Sequence, residues 1–525
     1  MTGPPMEFAP RVLRPFLGPV ERLVDALTDP ARRERTALAV LAAYAAIWTL
    51  YGVLSKAAQG VQSDTAELVD WSHHLALGYA KHPPFAAWLM HAWFMLFPTR
   101  EWSCYLLAMV YAAFGLWIAW RLFARFLDPD RRVVALACLM LVPYFNFLGL
   151  RFDHNAVLGA LWAATALCFI RSYQTRSATW AAAAGAAAAA AMLGKYWSIM
   201  LLAGLAVAAI VDTRRAIYFR SAAPWVTIAV GALLLAPHGV WLVTHDFMPI
   251  TYALDAHSAK TFGQTMANAA NYLAGGVGYA AAPVILVLAL TRPSGAALAD
   301  TLLPRTPERR FVAVAFLATL VIPAVFAPVF KYDLNPIWTM SDFVLLPVLL
   351  LSSPAIALSR CAVVSIVAFA VALPPVMLAA APAIALAAHL RGVDPPLAHA
   401  ELLARQVEQL WRRTTDRPLR IVGGDFGIAN MTAFYLPEQP SPFPVLEPET
   451  APWVTPERIA RDGAAMVCTL YPDQHDCTIV LKRAMDKAID RNPPPRRLEL
   501  TIARSYLGIP GEPERYLIIA APPRP

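Results

Sequence analysis

Five short clusters of this chain contain acidic, basic or histidine side chains, the residue types that carry acid–base and ionic chemistry. They are Gln62 to Glu67, Lys81 to Pro84, Arg151 to Asn155, Gly194 to Trp197, and Lys331 to Trp338. Each lies beside an apolar block, and all five fall at the same predicted end of those blocks. Charges at a membrane boundary cost free energy unless they are paired or face a wet cavity. The clusters therefore predict one polar reaction chamber at a membrane surface.

The first cluster begins a row of carboxylates. Asp64, Glu67 and Asp70 are spaced three residues apart, so on a helix they share one face. A carboxylate there could act as a general base that takes a proton from an acceptor hydroxyl or amine. The alternatives are a solvated acidic face, or a helix that starts after Ser63 and is capped by Asp64.

The second cluster sets a cation before two prolines. Pro83 and Pro84 fix the backbone and force Lys81 and His82 out of the helical region. That rigid geometry suits a cation that holds a phosphate. The alternative is a plain corner between a loop and a helix.

The third cluster joins two apolar blocks with almost no loop, so its polar side chains need partners. Asp153 could cap the next helix and pair with Arg151, or these residues and His154 could share a site with Asp64. A divalent metal held by Asp64, Asp153 and histidines is a further alternative, although no ligand spacing is diagnostic. The cofactor therefore stays unknown at this point.

Lys195 interrupts an apolar stretch that begins with the Ala- and Gly-rich block 181–191, whose small residues predict close helix packing. The lysine either extends to the membrane interface beside Tyr196 or holds a lipid-linked phosphate. Two longer outer loops, which contain His257 and Lys331, give weaker signals of the same kind.

Composition indicates a membrane protein. The chain has 525 residues, of which 58% are hydrophobic and 15% are charged, whereas a soluble domain has about 25% charged residues. The net charge of +8 does not indicate a nucleic-acid partner, because Lys and Arg collect in the cytoplasmic loops of membrane proteins.

Apolar blocks predict about 11 membrane spans. They are 36–55, 103–124, 132–150, 155–171, 178–194, 197–211, 222–243, 270–290, 311–328, 343–358 and 361–389. The block 85–97 is opened by two prolines and is predicted to lie in the interface. With the amino terminus in the cytosol, basic residues favour the inner loops by about two to one.

The predicted organisation has three parts. Residues 1–35 form a cytoplasmic amphipathic segment, residues 36–390 form a transmembrane domain whose first outer loop is 56–102, and residues 391–525 form a small outer α/β domain. The predicted location is a bacterial inner membrane, with the chamber and the last domain facing the periplasm.

The predicted outer domain has a helix followed by short strands. Its elements are an amphipathic helix at 400–413 and strand-like runs at 419–423, 433–436, 465–470, 478–481 and 516–521. Cys468 and Cys477 flank a short loop there and would form a disulfide in an oxidising compartment, with two free thiols as the alternative.

These motifs, in this order, resemble glycosyltransferase family 39, the C-type membrane glycosyltransferases that include protein mannosyltransferases and bacterial lipid A aminoarabinose transferases. The segments that carry the resemblance are Gln62 to Trp88, Arg151 to Trp162 and Arg417 to Asp425. The family implies a sugar donor on a polyprenyl phosphate and an inverting transfer on the outer face. The acceptor stays open between lipid A or core, another glycan, a lipid and a protein.

The resemblance also implies roles for residues. Asp64 matches the catalytic carboxylate of the first loop, Asp153 the second site aspartate, and Lys195 a lysine that contacts phosphate. His82 stands where the aminoarabinose transferases carry a lysine, and Lys81 where they carry a glutamate. This departure argues against an aminoarabinose donor and against the family's metal site, for which His257 is the candidate histidine.

The expected chemistry is one displacement at the sugar, in which cations stabilise the phosphate that leaves. The residues expected to bind substrate are Glu67, Lys81, His82, Arg151, His154, Lys195, Tyr196 and Lys331. Two other classes compete with this reading: a transporter or flippase of lipid-linked sugars, and a scaffold without catalysis. A transporter would show charges near the bilayer midplane or internal repeats, and neither is evident in the sequence.

Overall fold

A computed structural model of the chain describes residues 14–258, 261–470, 477, 479 and 494–524. The chain divides into two compact units. The helical unit is Met1–Thr49 with Leu106–Met377, and the mixed unit is Leu50–Tyr105 with Leu378–Pro525. The segment 56–102, the predicted first outer loop, therefore groups with the C-terminal domain, whereas the predicted boundaries placed it in the transmembrane domain.

Helices dominate the described residues. Helices α1 to α10 are Arg14–Thr28, Arg33–Ser55, Ser63–His73, Phe85–Phe94, Glu101–Phe123, Pro129–Met140, Leu158–Thr175, Ala178–Gly194, Ile199–Val211 and Arg215–Phe219. Helices α11 to α20 are Ala223–Thr244, Met248–Ala256, Phe262–Thr291, Gly295–Leu302, Pro307–Phe330, Leu346–Leu351, Arg360–Leu390, Pro395–Thr414, Phe426–Tyr435 and Pro456–Asp462. The 3-10 helices are Pro143–Phe145, Tyr196–Ser198, Pro336–Val344 and Pro448–Thr450.

Six of the described helices are long and apolar enough to cross a membrane: α2, α5, α11, α13, α15 and α17. Each has at least 22 residues, which at about 1.5 Å per residue covers a hydrocarbon layer of about 30 Å. The segments Ala178–Gly194 and Tyr196–Val211 are apolar but shorter. The predicted class, a polytopic α-helical membrane protein with a small C-terminal α/β domain, is confirmed. The block 85–97 contains α4, whose ten residues are too few to span.

Two of the eleven predicted spans are wrong as continuous helices. In the block 132–150, α6 ends at Met140, and the side-chain Nδ2 of Asn146 donates 3.0 Å hydrogen bonds to the carbonyl oxygens of Met140 and Val142. In the block 343–358, a 3-10 helix that ends at Val344 is followed by the six-residue helix α16. Hydropathy counts apolar side chains, whereas these interruptions come from an amide side chain and from prolines, which lack a backbone N–H.

The Ala- and Gly-rich helix α8 packs closely against α7 and α11, as its small residues predict. The hydroxyl of Thr227 on α11 donates to the carbonyl oxygen of Ala181 at 3.0 Å. A Cβ atom added to Gly185 would lie 2.4 Å from the carbonyl oxygen of Thr227. The two backbones therefore approach each other too closely for any side chain at Gly185.

The C-terminal domain is built on a five-stranded sheet. Strands β1 to β7 are Ile421–Gly424, Ser441–Pro444, Ala464–Thr469, Arg496–Ile502, Ser505–Tyr506, Ile509–Pro510 and Glu514–Ala521. The sheet order is β2-β1-β3-β7-β4, in which β1 pairs in parallel with β2 and β3, and β7 is antiparallel to β3 and β4. The helix α18 buries Leu403, Val407 and Trp411 against one face of this sheet.

Three of the five predicted strand-like runs lie on strands of the structure. The runs at 419–423, 465–470 and 516–521 lie on β1, β3 and β7, and the run 433–436 is instead the end of helix α19. The run 478–481 lies outside the described residues apart from Ile479. Cys468 and Cys477 form a disulfide in which both residues are buried.

The loop 56–102 is connected to the C-terminal domain by hydrogen bonds within the mixed unit. The Gly60 N–H donates to the carbonyl oxygen of Leu397 at 2.9 Å, and the Val61 N–H donates to the hydroxyl of Tyr435 at 2.8 Å. The helix α3 of the loop packs against α19. The sheet domain therefore helps to position the carboxylates of α3.

We expect Gly185→Ala to lower the stability of the chain by about 1–3 kcal/mol, because the added methyl group meets a backbone carbonyl that cannot move without separating α8 from α11. The measurement is the thermal unfolding midpoint in detergent. Gly231→Ala is the matched control, because its Cβ would meet the carbonyl oxygen of Gly185 at 3.5 Å, an ordinary contact. Equal effects of the two variants would contradict the packing argument.

Candidate functional site

The carboxylates of α3 differ in exposure. Glu67 and Asp70 are each 7% exposed, whereas Asp64, one turn earlier, is exposed. The helix begins at Ser63 with Gln62 at its N-cap, so Asp64 lies in the first turn and is not the cap. The helix dipole favours a carboxylate in that turn. Asp64 is thus the carboxylate of this row that solvent or a substrate can reach.

Lys81 is buried against two carboxylates and an aromatic ring. Its Nζ lies 3.4 Å from Glu67 Oε1 and 3.1 Å from Glu447 Oε2. It also lies 3.6 Å from the centre of the Phe426 ring. A buried charge needs such compensation, and Lys81 obtains it inside the mixed unit. Its predicted contact with a phosphate stays a prediction.

Burial changes the acidity of the two inner carboxyls. It raises the pKa of Glu67 to about 7, with Lys81 opposing the shift and Asp64 adding to it. Burial also raises the pKa of Asp70 well above its ordinary value, and the charge of Glu67 adds to that shift. The carboxyl group of Glu67, one turn after Asp64 on α3, can therefore gain or lose a proton near neutral pH.

His82 lies at a rigid corner that leads into α4. Its ring centre is 6.3 Å from that of Trp71, which stacks on Tyr79 at 4.6 Å. The Tyr79 N–H donates to the carbonyl oxygen of His82 at 3.1 Å, and Pro84 is the N-cap of α4. The local structure is thus a corner between a loop and a helix, and the binding of substrate by His82 stays a prediction.

In the helical unit, the loop before α7 is organised by Asp153. Its Oδ2 accepts a 2.7 Å hydrogen bond from Arg151 Nε, and its Oδ1 accepts from the N–H groups of Asn155 and Ala156 at 2.7 and 3.0 Å. These bonds hold the residues after Asp153 in a turn, and α7 begins at Leu158. Burial alone would raise the pKa of Asp153, but Arg151, Lys195 and the two N–H groups lower it.

Asn155 connects this loop to Lys195. The Lys195 Nζ donates to Asn155 Oδ1 at 2.6 Å, and it lies 5.2 Å from the centre of the Trp338 ring. Lys195 has extended backbone directly after Gly194, the last residue of α8, which directs it away from the helix. The network of Arg151, Asp153, Asn155 and Lys195 holds two cations and one carboxylate, so it has a surplus positive charge.

The remaining predicted residues of the helical unit lie around this network. Burial lowers the pKa of His154 to about 3, so its ring is neutral at physiological pH. The Tyr196 hydroxyl and His238 Nε2 share a 2.9 Å hydrogen bond. The His257 ring lies 4.9 Å from that of Trp338. Lys331 is exposed and ends α15 with a φ of 52°.

The structure thus brings predicted residues together within each unit. Arg151, Asp153 and Lys195 form one network, and Glu67 and Lys81 form an ion pair. The single chamber stays a prediction. Among the described residues, no group of three or more His, Cys, Asp or Glu side chains could hold a metal ion, and the predicted metal role of His257 remains untested.

Three residues that contribute to these sites were given no role by sequence reasoning. Glu447 carries the second ion pair of Lys81, and Asn155 bridges Asp153 and Lys195. The Tyr144 hydroxyl donates to the carbonyl oxygen of Asn155 at 2.5 Å. Asn155 was part of a recognised cluster, whereas Tyr144 lay inside a predicted span and Glu447 in a Pro-rich stretch of the last domain. No local sequence signal marks these two residues.

Comparisons with known proteins agree with the motifs. Residues 81–241 match the family model described as dolichyl-phosphate-mannose-protein mannosyltransferase. Two similar proteins come from Rhizobium johnstonii. The lipopolysaccharide core galacturonosyltransferase RgtB is 29% identical over 50% of this chain and 53% of its own length, and the lipid A galacturonosyltransferase RgtD is 25% identical over 37% and 40%. The chain thus spans about half or less of the length of these relatives.

Solved structures show the same fold. The crystal structure of ArnT from Cupriavidus metallidurans bound to undecaprenyl phosphate has a TM-score of 0.61 and 14% identity, over 92% of this chain and 97% of that one. The apo structure of the same protein gives a TM-score of 0.60. The predicted C-type fold and the predicted family resemblance are confirmed.

We expect Glu67→Gln to gain stability relative to the natural chain as pH rises from about 4.5 to about 7. The pKa of Glu67 is raised by folding, so its contribution to stability is fully present below the unfolded pKa and is lost as pH rises through the folded pKa, by about 1.4 kcal/mol per pH unit. Glutamine cannot ionise and avoids this loss. The measurement is the unfolding midpoint of both chains between pH 4 and pH 8.

Glu447→Gln is the matched control. It removes the other partner of Lys81, but the Glu447 side chain is 44% exposed and has little desolvation cost to relieve. A pH-independent difference for Glu67→Gln, or the same pH-dependent gain for Glu447→Gln, would contradict the account of Glu67.

Proposed function

Because the chain resembles glycosyltransferase family 39 in its motifs, fold and relatives, we propose that it is a membrane glycosyltransferase that uses a polyprenyl-phosphate sugar. The proposed acceptor is lipid A or the lipopolysaccharide core, and the proposed location is the outer face of a bacterial inner membrane. The observation that carries this proposal is the Arg151–Asp153–Asn155–Lys195 network, with its two cations and one carboxylate.

The donor phosphate is assigned to this network. As the glycosidic bond breaks, negative charge increases on the lipid phosphate that leaves, and fixed cations stabilise that charge without rearranging. Lys195 is held by Asn155, and Arg151 is held by Asp153 while its side chain remains 37% exposed. Both cations are thus positioned before a donor binds, and the carboxylate of Asp153 keeps Arg151 in place.

The activation of the acceptor is assigned to Asp64. It is exposed in the first turn of α3, and a general base must reach the proton that it removes. Glu67, buried one turn later with a pKa of about 7, tunes the charge around Asp64. Attack by the activated acceptor in one displacement inverts the anomeric carbon, without the covalent intermediate of the retaining hydrolases.

The names of the relatives support a choice of substrates for the first assay. Both Rhizobium proteins are named galacturonosyltransferases, one for lipid A and one for the lipopolysaccharide core, and the similar ArnT structure holds undecaprenyl phosphate. We therefore assign a uronic acid on undecaprenyl phosphate as the donor. Replacement of the aminoarabinose-type lysine and glutamate by His82 and Lys81 agrees with a sugar other than aminoarabinose.

Asp64→Asn is expected to reduce transfer by about 10²- to 10⁴-fold, the usual contribution of a general base, while binding of undecaprenyl phosphate stays unchanged. Transfer is measured by mass spectrometry of the glycolipid product, and binding by a shift of the unfolding midpoint with added undecaprenyl phosphate. Glu438→Gln, which removes an exposed carboxylate elsewhere in the mixed unit, is the control. Full activity of Asp64→Asn would overturn the assigned role.

Lys195→Ala is expected to weaken the binding of undecaprenyl phosphate by about 10- to 100-fold, because a hydrogen bond to a charged group contributes about 1.5–3 kcal/mol. Arg292→Ala is the matched control. It also removes one cation of the helical unit, but this arginine is exposed at the end of α13. Equal losses for both variants, or a larger loss for Arg292→Ala, would contradict the assignment of the phosphate to the Asp153 network.

A further inference from the structure

A second basic site lies at the other end of α7 from Asp153. It is a cavity of about 350 Å³. Its lining residues are Arg125, Tyr173, Gln174, Thr175, Arg176, Arg214, Ile217, Tyr218 and Glu308. Asp153 precedes α7 and Arg176 follows it, and the 18 residues of that helix cover about 27 Å. The cavity is therefore about one hydrocarbon thickness from the Asp153 network and independent of it.

Two arginines of this cavity have no acidic partner among the described residues. Arg214 is satisfied, because its Nε and Nη2 bind Asp212 at 3.0 and 2.9 Å and its Nη1 contacts Glu308. Arg125 donates to the neutral Gln174, at 3.3 Å. In the part of the chain that the structure describes, no carboxylate forms an ion pair with Arg125 or Arg176. The guanidinium groups of Arg125 and Arg176 are therefore available to bind an anion.

A neighbouring arginine adds to the positive charge around Arg125. Partial burial and the like charge of Arg171 lower the pKa of Arg125, which means that the two cations repel each other. Arg171 itself lies over the ring of Trp180, at 5.0 Å from its centre. A bound anion would relieve the repulsion, and a phosphate can accept hydrogen bonds from two guanidinium groups at once.

Part of the wall of this cavity is aromatic or apolar. Tyr173 and Tyr218 are 5% and 2% exposed, and their ring centres are 4.7 Å apart. The rim includes Ile217 of the short helix α10, and Phe219 lies two residues further along the same helix; their side chains are 58% and 42% exposed. A soluble phosphate compound would leave these apolar side chains uncovered, whereas the acyl chains of a lipid would cover them.

The cavity also lies where lipid headgroups are expected. The membrane-length helix α5 ends at Phe123, two residues before Arg125, and the membrane-length helix α15 begins at Pro307, one residue before Glu308. Basic pockets between the ends of membrane helices are typical sites for anionic lipid headgroups. Charge, apolar rim and position thus agree on one class of ligand.

We propose that this cavity binds the phosphate headgroup of an anionic phospholipid, with Arg125 and Arg176 as its cationic ligands and Ile217 and Phe219 in contact with the acyl chains. The chemistry that is recognised is a phosphate monoanion, and the membrane is its source. This site is separate from the proposed donor site. The proposal of a lipid site and the proposed transfer reaction can therefore be tested, and can fail, separately.

The test is native mass spectrometry of the full chain taken from nanodiscs that contain phosphatidylglycerol or phosphatidylcholine. The natural chain is expected to retain phosphatidylglycerol preferentially. The double variant Arg125→Gln with Arg176→Gln is expected to bind it about 30-fold more weakly, since each arginine near an anionic headgroup contributes about fivefold. Replacing both arginines by lysine should restore most of the binding.

The matched control is Arg220→Gln with Arg292→Gln, which also removes two exposed arginines of the helical unit. Arg292 ends its helix in the left-handed conformation, as Arg176 does. Equal losses in the control, or no loss in the test variant, would overturn the proposal. Stabilisation by inorganic phosphate alone in phosphatidylcholine nanodiscs, equal to that by phosphatidylglycerol, would assign the cavity to a soluble anion and also overturn it.

Discussion

Removing the carboxylate of Asp153 from water costs several kcal/mol unless cations and N–H groups replace the lost hydration. Arg151, two backbone N–H groups and the side chain of Asn155 supply that replacement. The arrangement of the loop before α7 follows from this requirement. Because Asn155 is fixed by Asp153, its amide oxygen is available to Lys195. The lysine and the arginine that are proposed to bind the donor phosphate are thus positioned by the carboxylate of Asp153.

In the mixed unit, the buried charge that needs compensation is a cation instead of a carboxylate. Lys81 is buried, and the carboxylates of Glu67 and Glu447 surround it. One lysine cannot fully compensate the buried carboxyl groups of α3, so the pKa of Glu67 is raised to about 7 and that of Asp70 is raised as well. Asp64 is left exposed above this group. The burial that stabilises α3 therefore also sets the electrostatic surroundings of the proposed base.

Much of this organisation could be predicted from the chain alone, because charges beside apolar blocks are rare and conspicuous. Asp153 and Lys195 were found in this way. Their connection through Asn155 depends on side-chain geometry across 40 residues, and the pairing of Lys81 with Glu447 crosses most of the chain, so neither has a local signal. The strand β4 was missed because Arg497 and Glu499 make an edge strand look polar. Asn146 and the prolines ended helices inside runs that hydropathy alone predicts as spans.

The most direct test of the proposed function is the stereochemistry of one reaction. The purified chain in liposomes is given undecaprenyl-phosphate galacturonic acid of defined anomeric configuration and a lipid A core acceptor, and the product is examined by nuclear magnetic resonance. The account predicts a product of inverted configuration, with one undecaprenyl phosphate released for each sugar transferred. A product of retained configuration, or transfer that proceeds from a nucleotide sugar without the lipid donor, would contradict it.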